Sequence, residues 1–309
     1  MPVIQQHCNN IKNIDDDMNI QHNPPEGFLR KETRSGYEVS EQMKRVWAIE
    51  MDMLQELFRV CAKHGLTIWA EGGTLLGTIR HGGYIPWDDD IDMAMPREDF
   101  DRLHEVAADE FKHPYFFQTV HTDPLYAHRH AQLRNSDTAA FGHGQKTYTS
   151  NSGIFIDIFP LDYMPKKPRS FKNHYNRLSA AKARFKMTYK VLLGVSKGLL
   201  LYCRKHVPAL STEVLFSRYE NILRSVKRED AIAWVDITFN HQSPQRPLSC
   251  YKDTEWRTFE YIKMPVPIGY DEVLTIMYGD YMTPVQAPTC HGALEYDTER
   301  SYKDILKSR

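Results

Sequence analysis

One short acidic segment constrains this chain more than any other feature. It reads Trp87-Asp88-Asp89-Asp90-Ile91-Asp92-Met93 and continues into a short apolar run. The residues from Ile91 to Met95 predict a strand, whose side chains alternate between two faces, so Asp88, Asp90 and Asp92 would point the same way. Carboxylates stacked about 7 Å apart along one face raise one another's pKa unless a cation lies between them.

A hard divalent cation that also binds phosphate is the ligand that fits this pattern. Mg²⁺ is typically held by one or two carboxylates and by substrate phosphates, and Mn²⁺ is the alternative ion. An exposed acidic turn would produce the same sequence without any ion. A calcium-binding loop is excluded, because Met93 occupies the sixth position, where glycine is needed, and Asp99 rather than glutamate occupies the twelfth.

A pair of glycines precedes the acidic segment. A predicted strand, Leu66 to Ala70, leads into Glu71-Gly72-Gly73-Thr74 and then into a short helix. Paired glycines at the start of a helix allow backbone amides to approach a phosphate group. Most Gly-Gly pairs are simple turns, and what favours phosphate binding here is the position just before an acidic strand.

A further acid lies in apolar surroundings later in the chain. Asp157 interrupts a strand-forming run from Gly153 to Phe159. An isolated acid there is costly unless it is paired or bound to a cation, so Asp157 is the candidate third carboxylate. The alternative is a residue that caps a turn or faces solvent. His128 and His130 fall on one face of another predicted strand, but two histidines without a third ligand do not indicate a zinc site.

The composition excludes several classes of protein. The 309 residues are 41% hydrophobic and 12% aromatic, which excludes a disordered or coiled-coil chain. Five scattered cysteines without a C-x-x-C pair favour a reducing compartment and argue against a disulfide scaffold. The first 20 residues lack the pattern of a signal peptide, and Val191 to Cys203 is shorter than the ~20 apolar residues that span a bilayer. We therefore expect a cytoplasmic protein.

The net charge of −1 hides one strongly basic stretch. Between Tyr163 and Thr212 there are twelve Lys or Arg residues and no Asp or Glu. Such a block favours contact with an anionic membrane or another polyanion, and we expect residues 166–205 to make it, on the inner face of the membrane. A solvated face of a long helix is the alternative. We expect no nucleic-acid partner.

The order of predicted elements indicates an α+β fold. Residues 1–40 are polar and aperiodic and predict an N-terminal extension. A helix follows Ser40 and ends at Gly65, and strands then dominate up to about residue 165. From about Ser170 to Lys227 the pattern is helical and basic. We therefore divide the rest of the chain into a catalytic core, 41–165, and a basic helical and acceptor-binding part, 166–309.

These motifs together resemble the LicD family of phosphocholine transferases, to which fukutin-related proteins are akin. The resemblance rests on a dense run of motifs and on later stretches that also match, and it covers roughly residues 45–305. The matching stretches are Glu71 to Gly77, Arg80-His81-Gly82-Gly83, Pro86 to Asp92, Asp157-Ile158-Phe159-Pro160-Leu161-Asp162, Tyr278-Gly279-Asp280-Tyr281-Met282 with Pro284, and His291.

The resemblance implies a nucleotidyltransferase (polymerase-β-like) core with a mixed sheet and a helical C-terminal part. It implies that Asp90, Asp92 and Asp157 bind metal and act in catalysis. The residues expected to bind substrate are Gly72, Gly73, Thr74, Arg80, Asp88, Arg134 and His291. The cysteine cluster that binds zinc in animal relatives has no counterpart here, so no zinc is expected.

The activity implied is metal-dependent transfer of a phospho-alcohol from a CDP-activated donor, with CDP-choline favoured. The acceptor would be a hydroxyl of a cell-surface glycan, such as lipopolysaccharide, capsule or teichoic acid, or of its lipid-linked precursor. Two alternatives remain open at this point: transfer of the nucleotide itself to a small molecule or sugar phosphate, and an inactive binding protein of the same fold. The sequence leaves open the identity of the alcohol, the glycan and the oligomeric state.

Overall fold

A computed structural model describes residues 20–142, 150–235, 245–285 and 294–308. The helices within these residues are α1 (Glu41–His64), α2 (Gly72–Arg80), α3 (Arg97–Glu110), α4 (Pro168–Val195), α5 (Lys197–His206), α6 (Thr212–Leu223), α7 (Tyr270–Tyr278) and α8 (Tyr302–Lys307). The strands are β1 (Glu32–Arg34), β2 (Tyr37–Val39), β3 (Trp69–Ala70), β4 (Asp92–Pro96), β5 (Tyr115–Gln118), β6 (Ala131–Asn135), β7 (Ala139–Gly142), β8 (Ile154–Pro165), β9 (Ala231–Val235), β10 (Arg246–Pro247), β11 (Thr254–Phe259), β12 (Ile262–Pro267) and β13 (Leu294–Asp297).

A mixed sheet of seven strands organises the described chain. Its order is β10-β9-β8-β4-β3, and β6 also pairs with β8 and carries β5 on its other edge. Strands β4 and β8 run parallel, whereas the other pairs of this sheet are antiparallel. The 12 residues of β8 are long enough to pair with β6 at one end and with β9 at the other. The mixed sheet and its helices confirm the predicted α+β class.

Helix α1 packs against this sheet, contacting β6 and β8. The Ser40 hydroxyl caps its first turn by accepting a hydrogen bond from the Met43 amide at 3.1 Å. Gly65, with φ of 65°, ends it in the left-handed conformation that glycine adopts without strain. The predicted apolar positions are all buried against the core: Val46, Ile49, Met53, Leu57 and Cys61.

Residues 20–39 are not simply a polar extension. The amides of Gln21 and His22 each donate to Asp52 of α1 at 2.8 Å, and β1 and β2 form a hairpin directly before α1. Val39 is buried in the main core. The part of the predicted extension that the structure describes is therefore attached to the core by hydrogen bonds and apolar contact.

The basic stretch forms helices, as predicted. Helix α4 packs against α5 and α6, and Leu178 and Phe185 of α4 share a small apolar cluster with Phe216 and Tyr219 of α6. Of the helices that the structure describes, none combines the length and the apolar character required to cross a bilayer.

Strands that the sequence analysis did not predict follow these helices. Strands β9 and β10 return to the central sheet, and the β11–β12 hairpin packs against β3. Residues 166–309 are therefore not purely helical. Strand β9 has five residues and pairs with β8, which lies more than 60 residues earlier in the chain, so the pairing is not visible in the local sequence.

The strand at the acidic segment begins later than predicted. Strand β4 starts at Asp92, and a turn precedes it, in which the Asp88 amide donates to the Ile85 carbonyl at 2.9 Å across Pro86. The prediction that Asp88, Asp90 and Asp92 alternate along one strand is therefore wrong. Proline and adjacent like charges favour this turn over an extended strand. The strand predicted at His128 likewise begins only at Ala131, so His128 and His130 belong to a loop.

Candidate active site

Strand register places a row of polar residues across the central sheet. Asp92 of β4 is the register partner of Asp157 on the parallel strand β8. On the other side of β8, Gln132 of β6 is the partner of Asp157, and Gln118 of β5 is the partner of Gln132. Register partners project from the same face of a sheet, so these four side chains lie side by side.

Three carboxylates meet at one end of this row. Asp90, Asp92 and Asp157 each offer an oxygen, and these oxygens all lie within 4.8 Å of one another. Two oxygens bound to one Mg²⁺ at ~2.1 Å are at most about 4.2 Å apart, so small rotations would suffice to bind an ion. Asp88, Asp89 and Asp90 form a second such group that shares Asp90. The all-oxygen donor set suits Mg²⁺ or Mn²⁺.

The acidic loop is held in place by hydrogen bonds from surrounding elements. The indole nitrogen of Trp47 donates to the Asp88 carbonyl at 3.1 Å, and the Tyr296 hydroxyl donates to Asp89 Oδ2 at 2.9 Å. The Asp92 amide donates to the Thr74 hydroxyl at 2.8 Å. These contacts keep mutually repelling carboxylates at close range, which is the arrangement that a bound cation would stabilise.

The two strand carboxylates respond differently to their surroundings. Burial, followed by the charges of Asp90 and Asp157, raises the pKa of Asp92 well above its ordinary range. Burial also acts to raise the pKa of Asp157, but the charge and hydrogen bond of His130 and the hydrogen bond of Gln132 lower it overall. The surroundings therefore favour the charged form of Asp157 and the neutral form of Asp92, and a bound cation would favour the charged form of both.

Asp157 is positioned by a chain of hydrogen bonds from β6. The amide nitrogen of Gln132 donates to Asp157 Oδ1 at 2.7 Å, and His130 Nε2 lies 3.2 Å from the same oxygen. Arg134 in turn donates to the side-chain oxygens of Gln132 and Gln118 and to the Gly153 carbonyl. All three guanidinium nitrogens of the buried Arg134 therefore donate to protein atoms. The geometry gives Arg134 a role in positioning Gln132, in place of the direct contact with substrate expected from the sequence.

The glycine pair lies directly against the carboxylates. A Cβ atom at Gly72 would lie 3.0 Å from Asp92 Oδ2, and one at Gly73 would lie 2.8 Å from Asp88 Oδ2. Gly72 also has φ of 53°, a backbone conformation that residues other than glycine adopt only with strain. The start of α2, with its free amides and partial positive charge, thus adjoins Asp88 and Asp92.

The other predicted substrate-binding residues differ in their surroundings. Arg80 donates through Nε to His81 Nε2 and through one terminal nitrogen to the Tyr281 carbonyl, both at 2.9 Å. The Tyr278 hydroxyl lies near the glycine pair, 3.9 Å from where a Cβ of Gly72 would be. His291 lies outside the described residues.

Sequence reasoning missed three residues that support the site. Gln132 and His130 contact Asp157, and Arg246 forms a buried ion pair of 2.6 Å with Glu71, just before the glycine pair. The only sequence signal for Gln132 and His130 was their spacing: both lie on the same face of the predicted strand, together with His128. Arg246 lies 175 residues from Glu71, and no local pattern indicates such a pair.

The fold and site define a protein with a carboxylate-lined candidate active site on a mixed sheet. Residues 65–209 match the family described as LicD/FKTN/FKRP, nucleotidyltransferase domain. This part of the chain contains the three clustered carboxylates, and the match confirms the resemblance to the LicD family that the motifs indicated.

Curated relatives agree with this assignment. The chain is 29% identical over 244 residues to the lipopolysaccharide cholinephosphotransferase LicD of Haemophilus influenzae, which covers 75% of this chain and 88% of that protein. It is 44% identical over 46 residues to the ribitol 5-phosphate transferase FKRP of human and of mouse, which covers 15% of this chain and 9% of those proteins.

Proposed function

We propose that this protein transfers a phospho-alcohol from a CDP-activated donor to a hydroxyl of a cell-surface glycan or its lipid-linked precursor, and that the reaction requires Mg²⁺ or Mn²⁺. The observation that carries the proposal is the meeting of Asp90, Asp92 and Asp157 beside the start of α2. The relatives support the class of reaction, since one is a lipopolysaccharide cholinephosphotransferase and the other is a ribitol 5-phosphate transferase. CDP-choline is the favoured donor on this basis.

The residues have separate roles in this proposal. Asp90, Asp92 and Asp157 hold the cation, which neutralises the charge of the donor diphosphate when bound. Asp157, kept as a carboxylate by His130 and Gln132, also accepts the proton of the acceptor hydroxyl. The acceptor oxygen then bonds to the phosphorus that carries the alcohol, the bond from that phosphorus to the bridging oxygen breaks, and CMP leaves.

The fold assignment belongs to the same proposal. A polymerase-β-like core over 41–165 would contain the carboxylates and the glycine pair, and residues 166–309 would contact the acceptor. Strands β9 and β10 join both parts through the central sheet, so we expect the two parts to fold together.

A second candidate is transfer of the nucleotide itself, which the description of the matching family as a nucleotidyltransferase domain favours. Both reactions would use the same carboxylates, but they release different products. Phospho-alcohol transfer from a CDP-alcohol releases CMP, whereas nucleotide transfer from CTP or ATP releases pyrophosphate.

The experiment that tests the proposal is product analysis with the purified chain. The protein is incubated with CDP-choline, CDP-ribitol, CDP-glycerol, CTP or ATP, a lipopolysaccharide or lipid-linked glycan fraction, and either Mg²⁺ or EDTA. We expect Mg²⁺-dependent release of CMP from one CDP-alcohol, together with labelling of the glycan. Asp157→Asn should lower kcat at least ~100-fold, because it removes both an ion ligand and a proton acceptor.

The matched control is Asp109→Asn, an exposed acid on α3 away from the carboxylates, which should keep wild-type activity. Pyrophosphate release from CTP or ATP would replace the proposal by nucleotide transfer. Full activity of Asp157→Asn, or equal activity in EDTA, would remove the metal-dependent mechanism. Absence of turnover with every donor would leave a binding protein of the same fold.

Contact with an anionic membrane is part of the same proposal, with the protein on the cytoplasmic side. Met187, Val191 and Val195, spaced four residues apart on α4, are 70%, 58% and 69% exposed. Exposed Arg184 and Lys190 flank them, and α4 and α5 contain no acid. An apolar stripe bordered by cations complements a bilayer of anionic lipids, and it explains why apolar side chains face solvent here.

A further inference from the structure

Three cations beside the loop that carries His130 have no acidic partner among the residues that the structure describes. Arg129 lies in the loop before β6, and Lys182 and Lys186 lie on α4. The Arg129 Nε atom is buried and has no hydrogen-bond partner among the described residues. Burial and then Arg129 are the main causes that lower the pKa of both lysines, and no acid is among the causes. Like charges held together in this way are unfavourable unless an anion lies between them.

Packing explains why these side chains converge. Tyr126 and Ala127, just before Arg129, share an apolar cluster with Leu178 and Phe185 of α4. The loop is thereby fixed against the helix at the turns that carry Lys182 and Lys186. Those two lysines are four residues apart, so they lie one above the other on the same side of α4.

The same loop connects the cations to the carboxylates. Arg129 is covalently next to His130, so their Cα atoms are about 3.8 Å apart. His130 Nε2 lies 3.2 Å from Asp157 Oδ1, and the rings of His128 and His130 are 5.2 Å apart. A phosphate group near the metal-binding carboxylates is therefore within reach of Arg129.

We propose that Arg129, Lys182 and Lys186 bind the diphosphate of the nucleotide donor, on the side of the carboxylate cluster formed by His130. The identification of the phosphate as the donor's rests on the proposed function. The planar guanidinium of Arg129 suits two phosphate oxygens, and the lysines supply charge from the helix. These residues take the substrate-binding role that the sequence suggested for Arg80 and Arg134. All three guanidinium nitrogens of Arg134 and two of those of Arg80 donate to protein acceptors.

The test is binding of CDP and of inorganic pyrophosphate by calorimetry, in EDTA and in Mg²⁺. The double variant Lys182→Gln/Lys186→Gln should weaken CDP binding about 10- to 100-fold in both conditions, because each substitution removes one charged contact with phosphate. Lys182→Arg/Lys186→Arg should restore most of the affinity. Lys172→Gln, an exposed residue near the start of α4, is the matched control and should bind as wild type does. Circular dichroism and the unfolding midpoint verify that each variant is folded.

Wild-type affinity of the double glutamine variant for CDP would overturn the inference, as would a wild-type protein that binds neither CDP nor pyrophosphate. An unchanged affinity for CDP with a raised KM for a phosphorylated acceptor would assign the cations to the acceptor and overturn the assignment to the donor. Failure of the proposed function has a different signature: CDP binds through the lysines, yet no CDP-alcohol is turned over.

Discussion

Glu50 illustrates, at the scale of one residue, how the acidic loop affects its surroundings. This acid of α1 is 1% exposed, and the Tyr84 hydroxyl donates to it at 2.9 Å. Burial raises the pKa of Glu50 well above its ordinary range; the bond from Tyr84 acts to lower it, and the charges of Asp90, Asp89 and Asp88 raise it further. The negative charges of the acidic loop therefore also destabilise the charged form of a buried residue of α1.

The raised pKa of Glu50 gives a defined dependence of stability on pH. The native state binds this proton more tightly than the unfolded state does, so stability is lost as pH rises above the ordinary value of 4.5. Glu50→Gln can keep the bond from Tyr84 without the charge. We expect it to stabilise the protein by on the order of 1 kcal/mol at pH 8 in EDTA, and by much less at pH 5.

Urea unfolding at the two pH values measures this difference. The control is Glu229→Gln. Glu229 is exposed, so its substitution should change the free energy of unfolding only slightly, and by the same amount at pH 5 and at pH 8. A Glu50→Gln variant that is less stable than wild type at pH 8 would show that the carboxylate is ionised and paired in the native state.

At the scale of elements, the start of α2 needs glycine for two reasons: its backbone conformation and its contact with the carboxylates. Gly72→Ala should cost about 1–2 kcal/mol, because alanine is strained at a positive φ. Its methyl group would also press on Asp92 Oδ2 at 3.0 Å, so we expect activity to fall at least ~10-fold. Steady-state kinetics and thermal unfolding check both effects.

The variant Gly36→Ala serves as the control that separates the effect of backbone strain on stability from the effect of a methyl group on the active site. Gly36 has φ of 79°, and among the described residues no atom of a neighbouring side chain or strand lies within 4 Å of where its Cβ would be. This variant should lose similar stability and keep wild-type activity. Equal activity of the two alanine variants would contradict the view that Gly72 lets Asp92 approach α2.

The elements also show what the sequence could and could not predict. Helix α1 follows from apolar residues at regular spacing and from Ser40 and Gly65, which are local signals. Asp90 and Asp92 were candidates because closely spaced carboxylates repel one another, and Asp157 was a candidate because an acid in an apolar run is costly. The contacts of Gln132 and His130 with Asp157 depend on the register of β6 against β8, and the short strand β9 depends on pairing with β8. Such non-local pairings leave no periodic pattern in the sequence.

At the scale of the whole molecule, α4 has different chemistry on its different sides. Phe185 and Leu192 are buried against the protein, and Lys182 and Lys186 lie near Arg129. The exposed stripe of Met187, Val191 and Val195 occupies the remaining side. In the proposed function, one helix would contact the core, the donor and a bilayer at once, and it would bring a lipid-linked acceptor close to the carboxylates.

Liposome sedimentation tests the membrane contact. The protein should bind vesicles that contain anionic lipid and bind neutral vesicles weakly, and high salt should weaken binding to the anionic vesicles. Arg184→Gln/Lys190→Gln should weaken binding to anionic vesicles up to ~30-fold, since each cation near the surface contributes about 1 kcal/mol. Met187→Gln/Val191→Gln/Val195→Gln should weaken binding at every salt concentration, because it removes the apolar contact rather than the charge.

Lys172→Gln serves again as the control, being exposed and basic but distant from the stripe. Variants that sediment with anionic vesicles as wild type does would rule out this face as the membrane contact. A triple glutamine variant that changes the oligomeric state in solution, with no change in vesicle binding, would assign the stripe to a second copy of the chain. CDP binding should be unaffected in both stripe variants, because Lys182 and Lys186 are retained.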